Sequence, residues 1–380
     1  MSRIIWLDQS NLPGLLQHIV ADIIPGFNYA VYKNVMKLCY TTSFFSRTER
    51  PGTPFALAGD PWRARLPQPS KFLDFDSITD ERCHGLRKNK WDRPWLVEWS
   101  GGLDSTLVLC ALLKNLNKQD LENITVGMTP VSIYENPKFF QNCIKGKLQI
   151  KDITAPDYQN LYTTHYLITG EPADMLTGGA LAMHACSNGL DLTLPWRDNQ
   201  SGISDFLAGT SAGSAGAQWL IDTMAHDIEN RQDPYPPVDN ILEWFHWINL
   251  NWKWTSMNIY KFQPGLHDPK QYFHSLINWF DTDDYQNWSI NHGRYSLIID
   301  GISLNSYKKD FRRYIMRIFP DHYYAQFKIK VASTSSSLSQ MHPWACLLDD
   351  GSTLTAQNHL EEIASLIPTV LNSAYHRPKS

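Results

Sequence analysis

Trp95-Leu-Val-Glu-Trp-Ser-Gly-Gly-Leu-Asp-Ser105 decides how this chain folds. Pro94 marks the entry to a short apolar and aromatic run, Trp95, Leu96, Val97 and Trp99, which predicts a buried strand. Thr106-Leu-Val-Leu-Cys-Ala-Leu-Leu113 is apolar nearly all round, the pattern of a helix packed against a sheet. Between the two, Gly101 and Gly102 let the backbone turn and approach an anion without a Cβ in the way. The first N–H groups of a helix lack intrahelical partners and lie at the positive end of its dipole. Strand, glycine loop and helix start therefore predict a phosphate cradle. Its candidate phosphate-binding residues are Ser100, Gly101, Gly102, Leu103 and Ser105. Asp104 would repel a phosphate, so its expected role is to hold Mg²⁺ bridging the phosphates. A plain glycine turn with Asp and Ser as caps is the competing explanation, and the full string in its strand–loop–helix setting weighs against it.

Downstream, Asn123-Ile-Thr-Val-Gly-Met-Thr129 predicts a second strand, with Pro130 close behind. In a doubly wound sheet the residues at the end of such a strand line the nucleotide crevice, which makes Gly127 and Met128 candidates for adenine contact. Residues 148–153 fit a third strand and Thr164-His-Tyr-Leu-Ile-Thr169 a fourth. Strands alternating with helices predict an α/β fold with a parallel sheet and flanking helices. The fourth strand runs into Gly170-Glu-Pro-Ala-Asp-Met-Leu-Thr-Gly-Gly179. Glu171 and Asp174 fall on one side of a helical turn at the same sheet edge as the phosphate loop. Asp174 is a candidate to complete the Mg²⁺ shell with Asp104, and Glu171 to act as a base or orient an attacking amine. Gly170 joins the candidate nucleotide contacts, and Gly178 and Gly179 permit close approach of backbone or ligand.

Ser100-Gly-Gly-Leu-Asp-Ser105 resembles the pyrophosphate-releasing loop of the N-type ATP pyrophosphatases. With Thr169-Gly-Glu-Pro-Ala-Asp174 and Gly178-Gly179 added, the chain resembles the synthetase domain of class B asparagine synthetases, a superfamily that includes β-lactam synthetases and lasso-peptide cyclases. The resemblance implies an adenine nucleotide alpha hydrolase-like core. It also implies ATP and Mg²⁺ as cofactors, with an aspartate of each motif on the metal. The implied chemistry is adenylation of a carboxylate, release of pyrophosphate, and attack of an amine or ammonia on the acyl-AMP to form an amide. A lysine near the α-phosphate is expected in an Arg-x-Lys-like setting beyond a helix and a proline. Here Tyr307-Lys-Lys-Asp-Phe-Arg-Arg-Tyr-Ile315 predicts the helix, Pro320 follows, and the order assigns the catalytic place to Lys330 and the arginine's place to Lys328. Lys308 and Lys309 are alternatives. Pro172 stands where the family carries glycine, Met175 where glutamate is common, and Ser335–Ser337 where a glycine-rich stretch is usual.

The remaining sequence bounds the function. Net charge is −4, so no broad basic surface points to nucleic acid. The six cysteines form no Cys-x-x-Cys pair, which argues against zinc ribbons and against the thiolating, tRNA-modifying branch of the same loop superfamily. No apolar run is long enough to span a bilayer and the N-terminus lacks a signal-peptide pattern, so a cytoplasmic protein is expected. The expected partners are small-molecule or peptide carboxylates and amines. The expected organisation is an N-terminal extension (1–71) and a synthetase-like domain (72–345) without the family's glutaminase domain. That domain comprises an α/β core over about 90–200 and a helical lobe beyond it. A C-terminal helix (Ala356–Leu371) and tail would follow. Residues 201–217, rich in Ser, Gly and Ala, predict either a flexible loop or a tight helix approach. The aromatic run Ile241–Trp254 predicts the core of the lobe. A catalytically reduced protein that holds nucleotide or a partner is the rival of another class.

Overall fold

A computed structural model of the chain describes residues 4–7, 31, 34–35, 66–67, 74–89, 92–154, 158–231, 235–254, 257, 274–295, 308–327, 346–348 and 353–354. The helices that the sequence predicts over Gly14–Ile24, from apolar Leu15, Leu16, Ile19, Val20 and Ile23 on one side, and over Ala356–Leu371 lie outside these residues. Four expected strands are present. Trp95–Glu98 (β2), Ile124–Met128 (β3), Gln149–Asp152 (β4) and Tyr166–Thr169 (β5) form a parallel sheet with a fifth, Leu276–Asn278 (β6). The order is β4-β3-β2-β5-β6. The chain moves outward from β2 on one side and returns to β5 on the other, so the strand order reverses between β2 and β5. The crevice at the carboxyl ends of those two strands is the switch point where doubly wound sheets bind ligands. Three-residue β6 carries too little pattern to be read from sequence, and it pairs through Leu167↔Leu276 and Thr169↔Asn278. A separate antiparallel sheet joins Ile4–Leu7 (β1) to Cys346–Leu348 (β7) and Thr353–Leu354 (β8), linking the two ends of the chain.

Residues 77–87 predict a short helix with Ser77 as a candidate cap; the helix runs Phe75–Lys88 (α1) and begins two residues before Ser77. Asp74 is the cap: its carboxylate accepts the Asp76 and Ser77 N–H groups at 3.1 Å each, and the Ser77 hydroxyl at 2.6 Å. Leu103–Asn115 (α2) follows β2, with Leu107 to Leu112 wholly buried, as its apolar sequence requires.

Residues 201–217 form two helices joined by a short turn at 209–212. Gln200–Ala208 (α3) and Gly213–Asn230 (α4) pack together, and Gly216 of α4 makes a separate tight approach, since a Cβ there would lie 3.2 Å from Val35 Cγ2. Ile241–Trp247 (α5) continues into a π-helix, Ile248–Lys253, and Trp244, Trp247, Trp252 and Trp254 are buried. The aromatic run is therefore lobe core. Part of its polar edge is met internally: the buried Asp227 carboxylate accepts the indole N–H of Trp247 at 2.9 Å and the Asn251 amide at 2.7 Å.

His246 ties this lobe to the segment after β5. Ser289 donates its hydroxyl to the Leu176 carbonyl at 2.7 Å, which leaves its oxygen to accept from His246 Nε2 at 2.8 Å. Nδ1 then accepts the Tyr235 phenol at 2.5 Å. Burial, and next the nearby Arg294 charge, push the imidazole down to about 3. The unfolded chain returns it to about 6.5, so below that pH the unfolded state binds more protons. The stability this group provides is complete above about pH 6.5 and is lost as the pH falls toward 3. His246→Gln should cost about 1–3 kcal/mol at pH 7.5 through unsatisfied buried partners. In urea titrations the margin of wild type over the variant should narrow from pH 7 to pH 4.5. A margin that stays constant would mean that His246 is not held neutral by the fold.

Candidate functional site

The loop between β2 and α2 is closed by its own side chains. The Ser100 N–H donates to Ser105 Oγ at 3.1 Å and the Gly102 N–H to Ser100 Oγ at 3.2 Å, and the two hydroxyls lie 3.2 Å apart. Gly102 occupies the cap of α2 in an extended conformation, with no side-chain cap on the first-turn N–H groups. Gly101 sits at φ +79°, and a Cβ there would run into the Ser132 carbonyl oxygen and lie 2.6 Å from Glu135 Cβ. Ser132 and Glu135 belong to Pro130–Glu135 (α6), a short helix that follows β3 and is capped by Thr129. From above, the Tyr324 phenol in His322–Phe327 (α7) donates to the Gly101 carbonyl at 2.8 Å, and Thr106 Oγ1 takes the Trp99 indole N–H at 3.1 Å. Burial raises the Tyr324 phenol well above its ordinary range, so it remains a donor.

The second motif lies directly against the first because β2 and β5 pair in register, Val97 beside Ile168. Gly170 makes the contact: a Cβ there would be 3.1 Å from the Asp104 carbonyl carbon, Asp104 Cβ and the Ser105 nitrogen. Backbone bonds to the β6 end hold the segment, Trp279 N–H to the Thr169 carbonyl at 3.0 Å and Phe280 N–H to the Glu171 carbonyl at 3.1 Å. Thr169 adds a hydroxyl donated to Asn278 Oδ1 at 2.8 Å. The Glu171–Pro172 peptide is cis, and a 3₁₀-helix, Ala173–Thr177, then carries Asp174. Gly178 ends it at φ +82°, its carbonyl taking the Asn249 side-chain amide from the π-helix. Glu171 is half-buried beside these groups.

Among the described residues, the lysine at this site is Lys308. Its side chain is 4% exposed, and Nζ lies 2.5 Å from Asp104 Oδ1 while also pairing with Asp174 Oδ1. Lys308 stands at the N-terminal cap of Lys309–Ile318 (α8), with Nζ 5.4 Å from the centre of the Phe311 ring. Lys330 and Lys328 lie outside the described residues, and Lys309 is exposed.

The structure therefore brings Ser100, Gly101, Gly102, Leu103, Asp104, Ser105, Gly170, Glu171 and Asp174 to one crevice. Gly127 and Met128 are on the adjoining strand. The Gly127 carbonyl takes the Trp99 N–H at 2.8 Å, the Met128 carbonyl takes the Ile153 N–H at 3.1 Å, and the Met128 side chain is core. Tyr324, Ser132, Asn278 and Asn249 support the site without having been singled out in the sequence. Each acts across a long sequence interval, and none sits in a local pattern. For Mg²⁺ the donors fit in kind: two carboxylates, 29% and 42% exposed, reach one point in space and offer hard oxygen ligands. Among the described residues no three His, Cys, Asp or Glu side chains gather to hold a metal. An ion here would take its other ligands from phosphate and water, as Mg²⁺ does at nucleotide sites. Among the described residues no helix is long and apolar enough to cross a membrane. Comparison with protein-family models, curated proteins and solved structures gives no match.

The close fit at Gly101 separates from its backbone conformation by comparison with Gly146, which has φ +71° and open space around a Cβ. Gly146→Ala should show backbone strain alone, about 1–2 kcal/mol. Gly101→Ala should exceed it by about 1–3 kcal/mol, as overpacking adds to strain. Chemical denaturation of both variants measures the difference, and equal losses would mean that α6 does not press on the loop.

Proposed function

We propose that this chain is an ATP-dependent carbon–nitrogen ligase with an adenine nucleotide alpha hydrolase-like core. It adenylates a carboxylate and passes the acyl group to an amine or ammonia. The observation that carries the proposal is the convergence of Asp104 and Asp174, from two strand ends at the switch point, on a single lysine beside a glycine loop and uncapped helix N-terminus. The loop N–H groups and the Ser100 and Ser105 hydroxyls would receive the β- and γ-phosphates, exchanging bonds they now make with one another. A substrate carboxylate oxygen attacks the α-phosphorus, the bond to the bridging oxygen breaks, and pyrophosphate leaves. An amine nitrogen then attacks the acyl carbon, AMP departs with the bond electrons, and the ammonium proton passes to a base. Glu171, one residue past β5, is assigned to that proton or to orienting the amine. Magnesium, held by Asp104 and Asp174, would supply charge neutralisation on the phosphates. Lys308 is close enough to the same centre to meet charge developing at the α-phosphate.

A second reading, a nucleotide-holding protein without chemistry, gains from one observation: both carboxylates are already neutralised by Lys308. The two separate in a direct test. With Mg²⁺ and α-labelled ATP, the ligase should produce AMP and pyrophosphate when supplied with pools of carboxylates and amines. Asp104→Ala should lower the rate by about 10²–10³-fold, the usual cost of removing an electrostatic stabiliser of the transferring group. An α,β-methylene ATP analogue at about 100 times its Kd should stabilise the native state by roughly 2.7 kcal/mol. Stabilisation without AMP from any pool would favour the non-catalytic reading, and neither effect would sink both.

A further inference from the structure

We propose that Lys308 is a tethered counter-ion that keeps divalent ions out of the Asp104–Asp174 pair until a phosphate-bearing ligand draws its ammonium away. The role of phosphate rests on the nucleotide reading above, whereas the exclusion of divalent ions does not. The geometry of exposure comes first. The two carboxylates are open to solvent, 29% and 42% exposed, while the lysine between them is 4% exposed. An ion arriving from water meets the open side of a pair whose inner side is already occupied by a cation. The three groups sum to one negative charge, where the two carboxylates alone would present two.

Beyond the Phe311 ring under its ammonium, the backbone at Lys308 and its place on the helix oppose this arrangement. It adopts φ +56° and ψ +37°, the left-handed region, and among the described non-glycine residues it alone has positive φ. It makes no side-chain bond that caps α8, and it places a cation at the positive end of that helix. Each of these opposes the arrangement, and strained positions of this kind concentrate at working sites. A long-range pairing with Asp104 and Asp174 helps to hold the residue, across 204 residues in the first case. An ammonium on a flexible four-carbon stem can leave one set of oxygens for another without moving its backbone. Phosphate oxygens delivered to the adjacent loop would compete for it. Its departure toward them would release the carboxylates to an ion that the same ligand brings. The order of loading is thereby set, with the divalent ion arriving with the phosphate and not before it.

Electron paramagnetic resonance titration of Mn²⁺ into the nucleotide-free protein tests this. Wild type and Asp104→Asn should bind Mn²⁺ equally weakly, because the lysine already occupies the pair. Lys308→Gln should bind it at least about tenfold more tightly, since a like charge in contact with the ion has been removed. Lys308→Arg should behave as wild type, and Asp104→Asn in the Lys308→Gln background should abolish the gain. Circular dichroism checks that each variant is folded, and the wild type against Asp104→Asn comparison stands even if Lys308→Gln does not fold. Tight Mn²⁺ binding by wild type that Asp104→Asn removes would overturn the proposal, as would a Lys308→Gln affinity equal to that of wild type. Failure of wild type to bind α,β-methylene ATP would sink the nucleotide reading and leave the exclusion of divalent ions standing.

Discussion

The lateral pairing of β2 with β5 is the constraint on which the site depends. Two strands whose sequences lie some 70 residues apart end side by side, Trp95 opposite Tyr166 and Val97 opposite Ile168. Everything chemical in the described residues follows from what leaves those two ends. From one, the chain turns through Gly101 into α2 and presents Asp104; from the other, it passes Gly170 and Glu171 into the turn that presents Asp174. The separation is so small that Gly170 has van der Waals room for a hydrogen and little more. A sheet can be parallel and buried with many sequences, but any Cβ at this step would press on Asp104 and Ser105 at 3.1 Å.

The helical lobe works as a backing for the second motif. Its π-helix supplies the Asn249 amide to the Gly178 carbonyl, its His246–Ser289 relay supports the Leu176 carbonyl, and Gly293 passes beneath that same carbonyl with no space for a Cβ. Three attachments bear on a turn of five residues. A short 3₁₀-helix is poorly held by its own bonds. Asp174 therefore owes its position to buried polar groups in a layer of tryptophans rather than to its own segment. Satisfied polar contacts in an apolar core specify one arrangement, where apolar packing alone would tolerate several.

The sequence was most legible where local pattern and tertiary role coincide. The apolar strand, paired glycines and apolar helix of 95–113 are all local signals, and each is found where the pattern placed it. The places of Asp104 and Asp174 were readable for the same reason, since each lies in the first turn of the segment that leaves a strand. Strand β6 was not, because three residues give no period to count. Residues 200–230 were ambiguous, since Ser, Gly and Ala suit both a loop and a close helix contact, and Gly216 shows the second. Lys308 was only one of several lysines near a helix start. Its sequence surroundings, Tyr307 and Lys309, carry nothing that marks burial, and the partners that bury it are over a hundred residues away. A cap readable as Ser77 proved to be Asp74 because a carboxylate accepts two N–H groups and the serine hydroxyl together.

The same helix that offers Lys308 is fixed to α1 by charge along its length, and this limits what can move. Arg313 and Arg317, one turn apart, both pair with Asp76, the former at 3.0 Å. The Tyr314 phenol reaches Asp80 at 2.6 Å, where the carboxylate also receives Lys114 and Asn115. Burial alone would raise the Asp80 carboxyl, yet these donors hold it below its ordinary value, so it stays ionised and the network stays charged. Phe311, Tyr314 and Ile315 are buried, and the Phe311 ring packs on Phe75 of α1 at 4.8 Å and on Phe280 at 5.1 Å. A helix held on two faces by ion pairs and by apolar packing does not slide easily. Any exchange of the Lys308 ammonium between carboxylate and phosphate then falls to rotation of its own side chain, over a backbone already committed to the left-handed position. Under the proposed nucleotide reading, the anchoring remote from the crevice would confine that exchange to the side chain of Lys308.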